Sequence, residues 1–258
     1  MKILVIPDGQ VKPGVPLEHW KWVGKYAAEK QPDIIINLGD WADMESLSSY
    51  DKGKKSFEGR RYKKDIEAVR SAVSLLDAGL SAGSSKLSST NKRGYNPRRI
   101  ITLGNHEERI YRAMESSPEY EGLLSLDDLP YREAGWEVFP FLEVVIINGV
   151  AFSHYFTSGV LGRPITSPSA LCSKKHMSCV MGHVQKEGIH TDYRVDGKRI
   201  TGIFAGSFYQ HNEVYLGPQG NSHWRGVWML HNVKDGDFDV MPVSLNYLKQ
   251  KYGAKNAQ

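Results

Sequence analysis

Short apolar runs alternate with amphipathic stretches along the first hundred residues. The apolar runs Ile3 to Ile6, Ile34 to Leu38 and Ile100 to Leu103 have the length of buried strands, and the first lies within a predicted strand from Lys2 to Pro7. Helical spacing of apolar residues predicts one helix from about Leu17 to Glu29 and another from about Tyr62 to Leu80. A strand, a helix and a strand in this order predict parallel strand pairing in the first half.

From Trp136 onward the pattern changes to short alternating segments, which predict a second half made mainly of sheet. The predicted strands are Val138 to Pro140, Leu142 to Ile147, Val150 to Phe156, Cys179 to Met181, Ile189 to Val195, Ile200 to Phe204, Val227 to Val233 and Phe238 to Val243. Asn148-Gly149 and Asp196-Gly197 are dipeptides typical of hairpin turns. The expected fold class is therefore α/β, with two packed sheets and helices outside them.

The stretch from Ala78 to Asn96 is rich in Gly and Ser and has no periodicity, which predicts a flexible surface loop. Together with the polar and basic residues before the second helix, it forms a predicted insertion at about 44–98. Because this insertion lies between two blocks of candidate metal ligands, we expect a single domain over residues 1–258.

Composition narrows the class of protein. With 258 residues and 40% hydrophobic residues, the chain can bury a substantial core. The first apolar run is strand-sized, so no signal peptide is predicted, and no segment has the length of a membrane span. Cys172 and Cys179 do not form a CxxC pair, so we expect reduced thiols. The expectation is a soluble, cytoplasmic protein without a membrane partner.

The net charge of +4 is unevenly distributed. One basic run contains Lys52, Lys54, Lys55, Arg60, Arg61, Lys63 and Lys64, and another contains Lys92, Arg93, Arg98 and Arg99. Only the first run leaves the carboxyl end of a predicted strand, where ligands bind in open α/β sheets. A phosphate-binding role and a solvated surface both remain open for it.

Five short polar blocks follow one another in the chain and carry the candidate chemistry. They are Pro7-Asp8-Gly9-Gln10, Gly39-Asp40-Trp41-Ala42-Asp43, Gly104-Asn105-His106-Glu107, Ser153-His154 and Gly182-His183-Val184-Gln185. The first three directly follow apolar runs, so their side chains should meet at one edge of a sheet. Carboxylates, an amide oxygen and imidazoles suit divalent cations such as Mn²⁺, Fe²⁺ or Zn²⁺. The series therefore predicts a metal site.

This ordered series resembles the calcineurin-like metallophosphoesterases, whose pattern is Asp-x-His, Gly-Asp-x-x-Asp, Gly-Asn-His-Asp/Glu, His and Gly-His-x-His. The resemblance runs from Asp8 to Gln185 and is most specific at Gly104 to Glu107. More narrowly, the chain resembles the small calcineurin-like phosphoesterases that bacteriophages encode, for which the location is the host cytoplasm. The resemblance implies a four-layer α/β-β/α sandwich of two mixed sheets flanked by helices.

The resemblance also implies two metals bridged by Asp40. One metal would be held by what we call the histidine half-site: Asp40, Asn105, His154 and His183. The other would be held by the glutamine half-site: Asp8, Gln10, Asp40 and Gln185. At positions 10 and 185 the family has His, and a neutral amide oxygen in its place should favour Mn²⁺ or Mg²⁺. Whether the protein binds one divalent ion or two remains open. Mn²⁺ is the preferred ion, and Mg²⁺, Fe²⁺ or Zn²⁺ are the alternatives.

In the mechanism that the resemblance implies, a metal-bound hydroxide attacks phosphorus. His106 would protonate the leaving group, and Asp43 would orient a ligand or His106. Glu107 has either a similar orienting role or the role of an acid in the first turn of a helix. Arg163 and His211 are candidate phosphate contacts, with surface-loop positions as the alternative.

Three functions stay open. The first is a metal-dependent phosphodiesterase acting on nucleic acid or nucleotides, which the first basic run and the interleaved Tyr50, Phe57 and Tyr62 favour. The second is a phosphomonoesterase, but such family members commonly have Arg directly after Gly-Asp-x-x-Asp, where this chain has Met44. The third is a catalytically weakened module that binds metal or phosphate, which only the two Gln residues favour.

Overall fold

The computed structural model describes residues 1–87, 95–213 and 216–253. Its strands are β1 (Ile3–Ile6), β2 (Ile34–Asn37), β3 (Arg98–Thr102), β4 (Glu137–Phe139), β5 (Val145–Ile147), β6 (Val150–Ser153), β7 (Ser178–Met181), β8 (Glu187–Tyr193), β9 (Arg199–Ala205), β10 (Gly226–Lys234) and β11 (Asp237–Ser244). Its helices are α1 (Glu18–Lys30), α2 (Tyr62–Leu87), α3 (Glu108–Ser116), α4 (Pro168–Lys175), α5 (Gly217–Gly220) and α6 (Leu245–Tyr252).

The first sheet has the strand order β11-β10-β1-β2-β3-β4. Strands β1 to β4 are parallel, with Ile3 opposite Ile34 and Ile36 opposite Ile100, while β10 and β11 pair antiparallel. The predicted parallel pairing of the first half is confirmed. Because these parallel strands all run the same way, the loops that follow β1, β2 and β3 emerge at one edge of the sheet.

The second sheet has the order β5-β6-β7-β9-β8. Its central strands β6, β7 and β9 are parallel, and antiparallel β5 and β8 form its edges. The predicted hairpin turns at Asn148-Gly149 and Asp196-Gly197 are confirmed, since they connect β5 to β6 and β8 to β9.

The two sheets pack face to face, and alternate residues of each strand explain why. In β1, Ile3 and Val5 face the core between the sheets, together with Phe152 of β6. Leu4 and Ile6 point the other way, against α1 and α2. Helix α4 covers the outer face of the second sheet through Leu171 and neighbouring residues. The predicted arrangement of two mixed sheets flanked by helices is confirmed.

The predicted helix from Tyr62 to Leu80 is confirmed, but α2 continues to Leu87, so the prediction of a loop from Ala78 is wrong up to that residue. Gly79 packs directly on Gly24 of α1, where an added Cβ on either glycine would overlap backbone atoms of the other helix. The glycine therefore marks a close helix-helix contact rather than a loop. Residues 88–94 of the predicted loop lie outside the described residues. No helix in the described part of the chain is long and apolar enough to cross a membrane.

Candidate metal centre

Four side-chain atoms that can bind a metal ion converge where the two sheets meet. Asn105 Oδ1 lies 2.9 Å from His154 Nε2 and 2.8 Å from His183 Nδ1, and the two imidazole nitrogens are 3.2 Å apart. Asp40 Oδ2 is 3.4 Å from His154 Nε2. Ligands about 2.1 Å from one cation are separated by roughly 3.0 to 3.4 Å in octahedral or tetrahedral geometry. The histidine half-site thus has the spacing of a divalent-metal site.

Each of these residues follows the end of a strand. Asp40 and Asn105 come from the loops after β2 and β3 of the first sheet, and His154 and His183 from the loops after β6 and β7 of the second. Asp40, His154 and His183 form the cluster of potential metal-binding side chains found among the described residues. A cation at this position would therefore connect the two sheets.

The two imidazoles present lone pairs to the cluster. His154 Nδ1 lies 2.8 Å from the carbonyl oxygen of Leu38, to which it donates, so Nε2 is left as the acceptor that faces the cluster. Burial, together with neighbouring His154, lowers the pKa of His183 to about 4. His183 is therefore neutral near pH 7, as a metal ligand must be.

The glutamine half-site is arranged differently. Gln10 Nε2 lies 3.3 Å from Asp40 Oδ2, and Gln185 Oε1 accepts a hydrogen bond of 2.9 Å from the Tyr209 hydroxyl. Asp8 is fully buried; its Oδ1 accepts the backbone N–H of His183, and its Oδ2 has no hydrogen-bond partner among the described residues. Burial, with a further contribution from Asp40, raises the pKa of Asp8 to about 7. A buried carboxylate oxygen without a partner fits a cation, which would compensate for its lost hydration.

Backbone strain is concentrated in these loops. Gln10, Asp40, His183 and Gln185 all have positive φ angles, between 44° and 65°. This region is uncommon for residues other than glycine and costs energy that the surrounding structure must offset. Strained residues are enriched at functional sites, and here four of them belong to the candidate ligand blocks.

Glycines allow the ligand loops to approach each other. An added Cβ on Gly104 would overlap the carboxylate and backbone nitrogen of Asp40, and one on Gly182 would overlap Asp8 Oδ1. The Gly residues of the Gly-Asn-His and Gly-His blocks are therefore required by packing against the two carboxylates. Their role follows from contacts between distant parts of the chain.

Glu107 has the orienting role that one of the sequence interpretations gave it. The residue is fully buried, and its Oε2 accepts backbone N–H groups of Asp40 and Gly104, both at 2.9 Å. Its Oε1 accepts the N–H of Ala42 at 2.9 Å and the hydroxyl of Tyr131 at 3.1 Å. One carboxylate thus fixes the loops after β2 and β3 relative to each other.

His106 and Asp43 form a pair beside the histidine half-site. His106 Nδ1 lies 2.9 Å from Asp43 Oδ1 and 3.0 Å from the Asp43 carbonyl oxygen, while Nε2 is 3.7 Å from Asp40 Oδ2. Burial alone would lower the pKa of this imidazole, but the negative charges of Asp40 and Asp43 raise the pKa of His106 to about 9. Because Nδ1 donates to Asp43, Nε2 is the ring nitrogen that faces Asp40 and the metal cluster.

Two cations at this pair were not predicted from the sequence. Lys12 Nζ lies 3.0 Å from Asp43 Oδ2 and also pairs with Glu213 at 2.5 Å. Arg109 Nη1 donates to the carbonyl oxygen of Asp43 at 2.7 Å, and its Nη2 lies 3.3 Å from His106 Nε2. The only available signal was sequence distance: Lys12 is two residues from Gln10, and Arg109 is one helical turn from His106.

The two candidate phosphate contacts have different positions. His211 is largely buried, lies 2.8 Å from Glu213 Oε1 through its Nε2, and stacks on Tyr209, so it is joined to Asp43 through Glu213 and Lys12. Arg163 is exposed in the loop after β6, and within the described ranges no side-chain hydrogen bond or ion pair involves it. The structure therefore brings His211 near the site and leaves Arg163 on the surface.

Comparisons with known proteins add weak similarities. No family model matches the chain, and no curated protein matches it. Among solved structures, a single mutant of Vps29 from Entamoeba histolytica is 13% identical with a TM-score of 0.41, covering 95% of this chain and 99% of that one. A double mutant of the same protein is 14% identical with a TM-score of 0.36 and the same coverage. Similarity at this level does not assign the chain to a family.

Proposed function

We propose that this protein is a metal-dependent phosphoesterase, and that its substrates are phosphodiesters of nucleic acid or nucleotides. The observation that carries the proposal is the position of His106, whose Nε2 lies 3.7 Å from Asp40 Oδ2 at the edge of the histidine half-site. An imidazole next to a cluster of metal-binding atoms is suited to protonate the leaving group when a phosphate ester is cleaved. The order of the five sequence blocks supports the same reaction.

The residues of the site have separate tasks. Asp40, Asn105, His154 and His183 would hold one divalent cation, and Asp8 with Gln10 and Gln185 would contribute to a second. When bound, such ions supply Lewis acidity and lower the pKa of water. When protonated, His106 would give the proton on Nε2 to the leaving-group oxygen. Asp43 accepts from His106 Nδ1 and so keeps the ring turned toward the substrate.

The basic run that follows the Asp43 block in the sequence supports a polyanionic substrate. Lys52, Lys54, Lys55, Arg61, Lys63 and Lys64 are exposed. Arg60 is instead largely buried and paired with Glu45 and Asp51, and the Tyr62 hydroxyl donates to Asp128. Of the predicted stacking residues, Tyr50 is 83% exposed and is therefore free to contact a base. The support for nucleic acid thus rests on the exposed lysines and on Tyr50.

A second candidate function is a phosphomonoesterase, and one contact favours it. The absence of Arg at position 44 argued against a terminal phosphate as the substrate, and Met44 is indeed fully buried. However, Arg109 brings a guanidinium to the same Asp43 and His106 pair from α3. A monoester dianion would gain more from this added charge than a diester monoanion.

The test compares hydrolysis of bis-p-nitrophenyl phosphate with that of p-nitrophenyl phosphate, using Mn²⁺, Mg²⁺, Zn²⁺ or no metal. We expect diester hydrolysis with Mn²⁺ that falls at least a hundredfold in His106→Ala. His231→Ala is the matched control, since His231 follows Leu230, the partner of Ile3 at the start of β1, and so lies at the end opposite Asp8. A folded, metal-loaded protein that hydrolyses neither ester would contradict the proposal and favour a binding module.

A further inference from the structure

The guanidinium of Arg109 and the imidazole of His106 present nitrogen atoms to the same point in space. Arg109 Nη2 lies 3.3 Å from His106 Nε2, to which it donates one of its two hydrogens, so the other hydrogen is available to a ligand. One oxygen atom can lie within hydrogen-bonding distance of two nitrogens with this separation. The phosphate oxygen that approaches His106 would therefore also approach Arg109.

Asp43 fixes the orientation of Arg109. The Nη1 atom donates to the Asp43 carbonyl oxygen at 2.7 Å and lies 3.2 Å from Asp43 Oδ1. These contacts use the side of the guanidinium that faces Asp43 and direct Nη2 toward His106. The side chain is 17% exposed, so it lies at the surface of the site and not beneath it. The fork of the guanidinium is thus held in place before any substrate binds.

No other arginine has this position. Across the described residues, Arg109 is the one arginine whose side chain hydrogen-bonds to Asp43 or His106. Lys12 also contacts Asp43, but its ammonium is bound between two carboxylates, Asp43 and Glu213. Arg109 has no such second carboxylate among its recorded contacts, so its charge is less fully compensated inside the site.

We propose that Arg109 is a substrate-binding residue, which donates a hydrogen bond from Nη2 to the phosphate oxygen next to His106 Nε2. The inference rests on the proposed phosphoesterase function and adds a residue for which the ligand blocks give no indication. A charge-assisted hydrogen bond of this kind contributes enough to change affinity by about tenfold to a hundredfold.

The experiment measures binding of inorganic phosphate to the Mn²⁺-loaded protein by isothermal titration calorimetry. We expect Arg109→Met to weaken phosphate binding by about tenfold to a hundredfold, and Arg109→Lys to recover part of the loss, because Lys keeps the charge without the fork. Mn²⁺ affinity, measured in the same variants without phosphate, should stay within about twofold. Arg112→Met is the control, since Arg112 lies one turn further along α3 and is exposed. Equal losses in Arg109→Met and Arg112→Met would show a general charge effect and overturn the inference.

A second measurement separates direct contact from positioning of His106. If Arg109 touches phosphate, Arg109→Met should weaken phosphate binding by a similar factor in the wild type and in His106→Ala. If Arg109 acts only by orienting His106, its effect should vanish in His106→Ala, and the inference is wrong. If Arg109→Met binds phosphate as the wild type does, and the wild type hydrolyses esters, the role of Arg109 in substrate binding is rejected. The proposed function would then still stand. A wild-type protein that binds Mn²⁺ but hydrolyses no ester would instead reject the proposed function.

Discussion

Two glycines determine how closely the candidate ligand loops approach. Gly104 lies against Asp40, and Gly182 lies against Asp8, in both cases closer than any residue with a side chain would allow. In the sequence they are the small residues before Asn105 and His183. In the structure they are the reason that carboxylates from one loop can lie against the backbone of another.

Gly104→Ala should displace Asp40 and weaken metal binding. The added Cβ would overlap the Asp40 carboxylate and backbone nitrogen, so the loop after β2 must move. We expect Mn²⁺ affinity to fall at least tenfold and the free energy of unfolding to fall by about 1 to 3 kcal/mol. Metal titration and thermal unfolding measure both effects. Gly159→Ala is the control, since a Cβ there meets nothing within 4 Å; a Gly104→Ala protein with normal Mn²⁺ affinity would contradict the contact.

The glutamine half-site allows a second test at the scale of single residues. Gln10→His with Gln185→His would replace two amides by imidazoles in the glutamine half-site, where Asp8 Oδ2 has no partner among the described residues. We expect this double variant to bind a second Zn²⁺ or Mn²⁺ at least tenfold more tightly than the wild type. The stoichiometry of bound metal, from inductively coupled plasma mass spectrometry after dialysis, measures the change.

The matched control for this pair is Gln250→His, on an exposed position of α6. It adds an imidazole to the surface and should leave the metal stoichiometry unchanged. If stoichiometry and cation preference are the same in the double variant and the wild type, positions 10 and 185 are not metal ligands.

At this scale the sequence predicts the residues of short blocks better than the contacts between them. Asn105, His154 and His183 were selected from motifs alone, and the structure brings their donor atoms together. Arg109 and the Tyr209 partner of Gln185 were missed because their relation to the site arises from tertiary packing. A lone Arg in an amphipathic helix or a lone Tyr after a strand has no spacing that distinguishes it.

At the scale of elements, the ends of the strands were predicted to within about three residues, while the end of α2 was not. Buried strands have an apolar run with polar boundaries, which is a local signal. The region after Leu80 contains Gly and Ser, residues of low helix propensity, so local reasoning predicts a loop. The helix nevertheless continues to Leu87, beyond the contact of Gly79 with Gly24 of α1.

Gly79→Ala tests the close contact between α2 and α1. In an isolated helix, alanine is favoured over glycine by about 1 kcal/mol. Here the added Cβ would overlap the backbone of α1 at Lys21 and Gly24, so we expect a net loss of about 1 to 3 kcal/mol in the free energy of unfolding. Ser74→Ala, at an exposed position of α2, should stabilise slightly and serves as the control. Urea unfolding measures both, and stabilisation by Gly79→Ala would show that the helices are not in close contact there.

For the whole molecule, the position of the histidine half-site has a consequence for stability. Asp40 and Asn105 come from the first sheet, and His154 and His183 come from the second. A cation bound by all four joins the two sheets only when they are folded against each other. Metal binding and the packing between the sheets should therefore be thermodynamically linked.

Mn²⁺ should raise the melting temperature, and Asp40→Asn should remove the effect. A metal at a hundred times its dissociation constant adds about 2.7 kcal/mol to the free energy of unfolding, which corresponds to a rise of roughly 5 to 10 °C for a chain of this size. Asn keeps the shape of Asp40 and tolerates its positive φ, so the variant removes charge and leaves the backbone conformation accessible. Asp239→Asn, at a largely exposed position of β11, is the control and should keep the full rise. Differential scanning calorimetry with and without Mn²⁺ measures the shift, and a full rise in Asp40→Asn would place the stabilising metal somewhere other than between the two sheets.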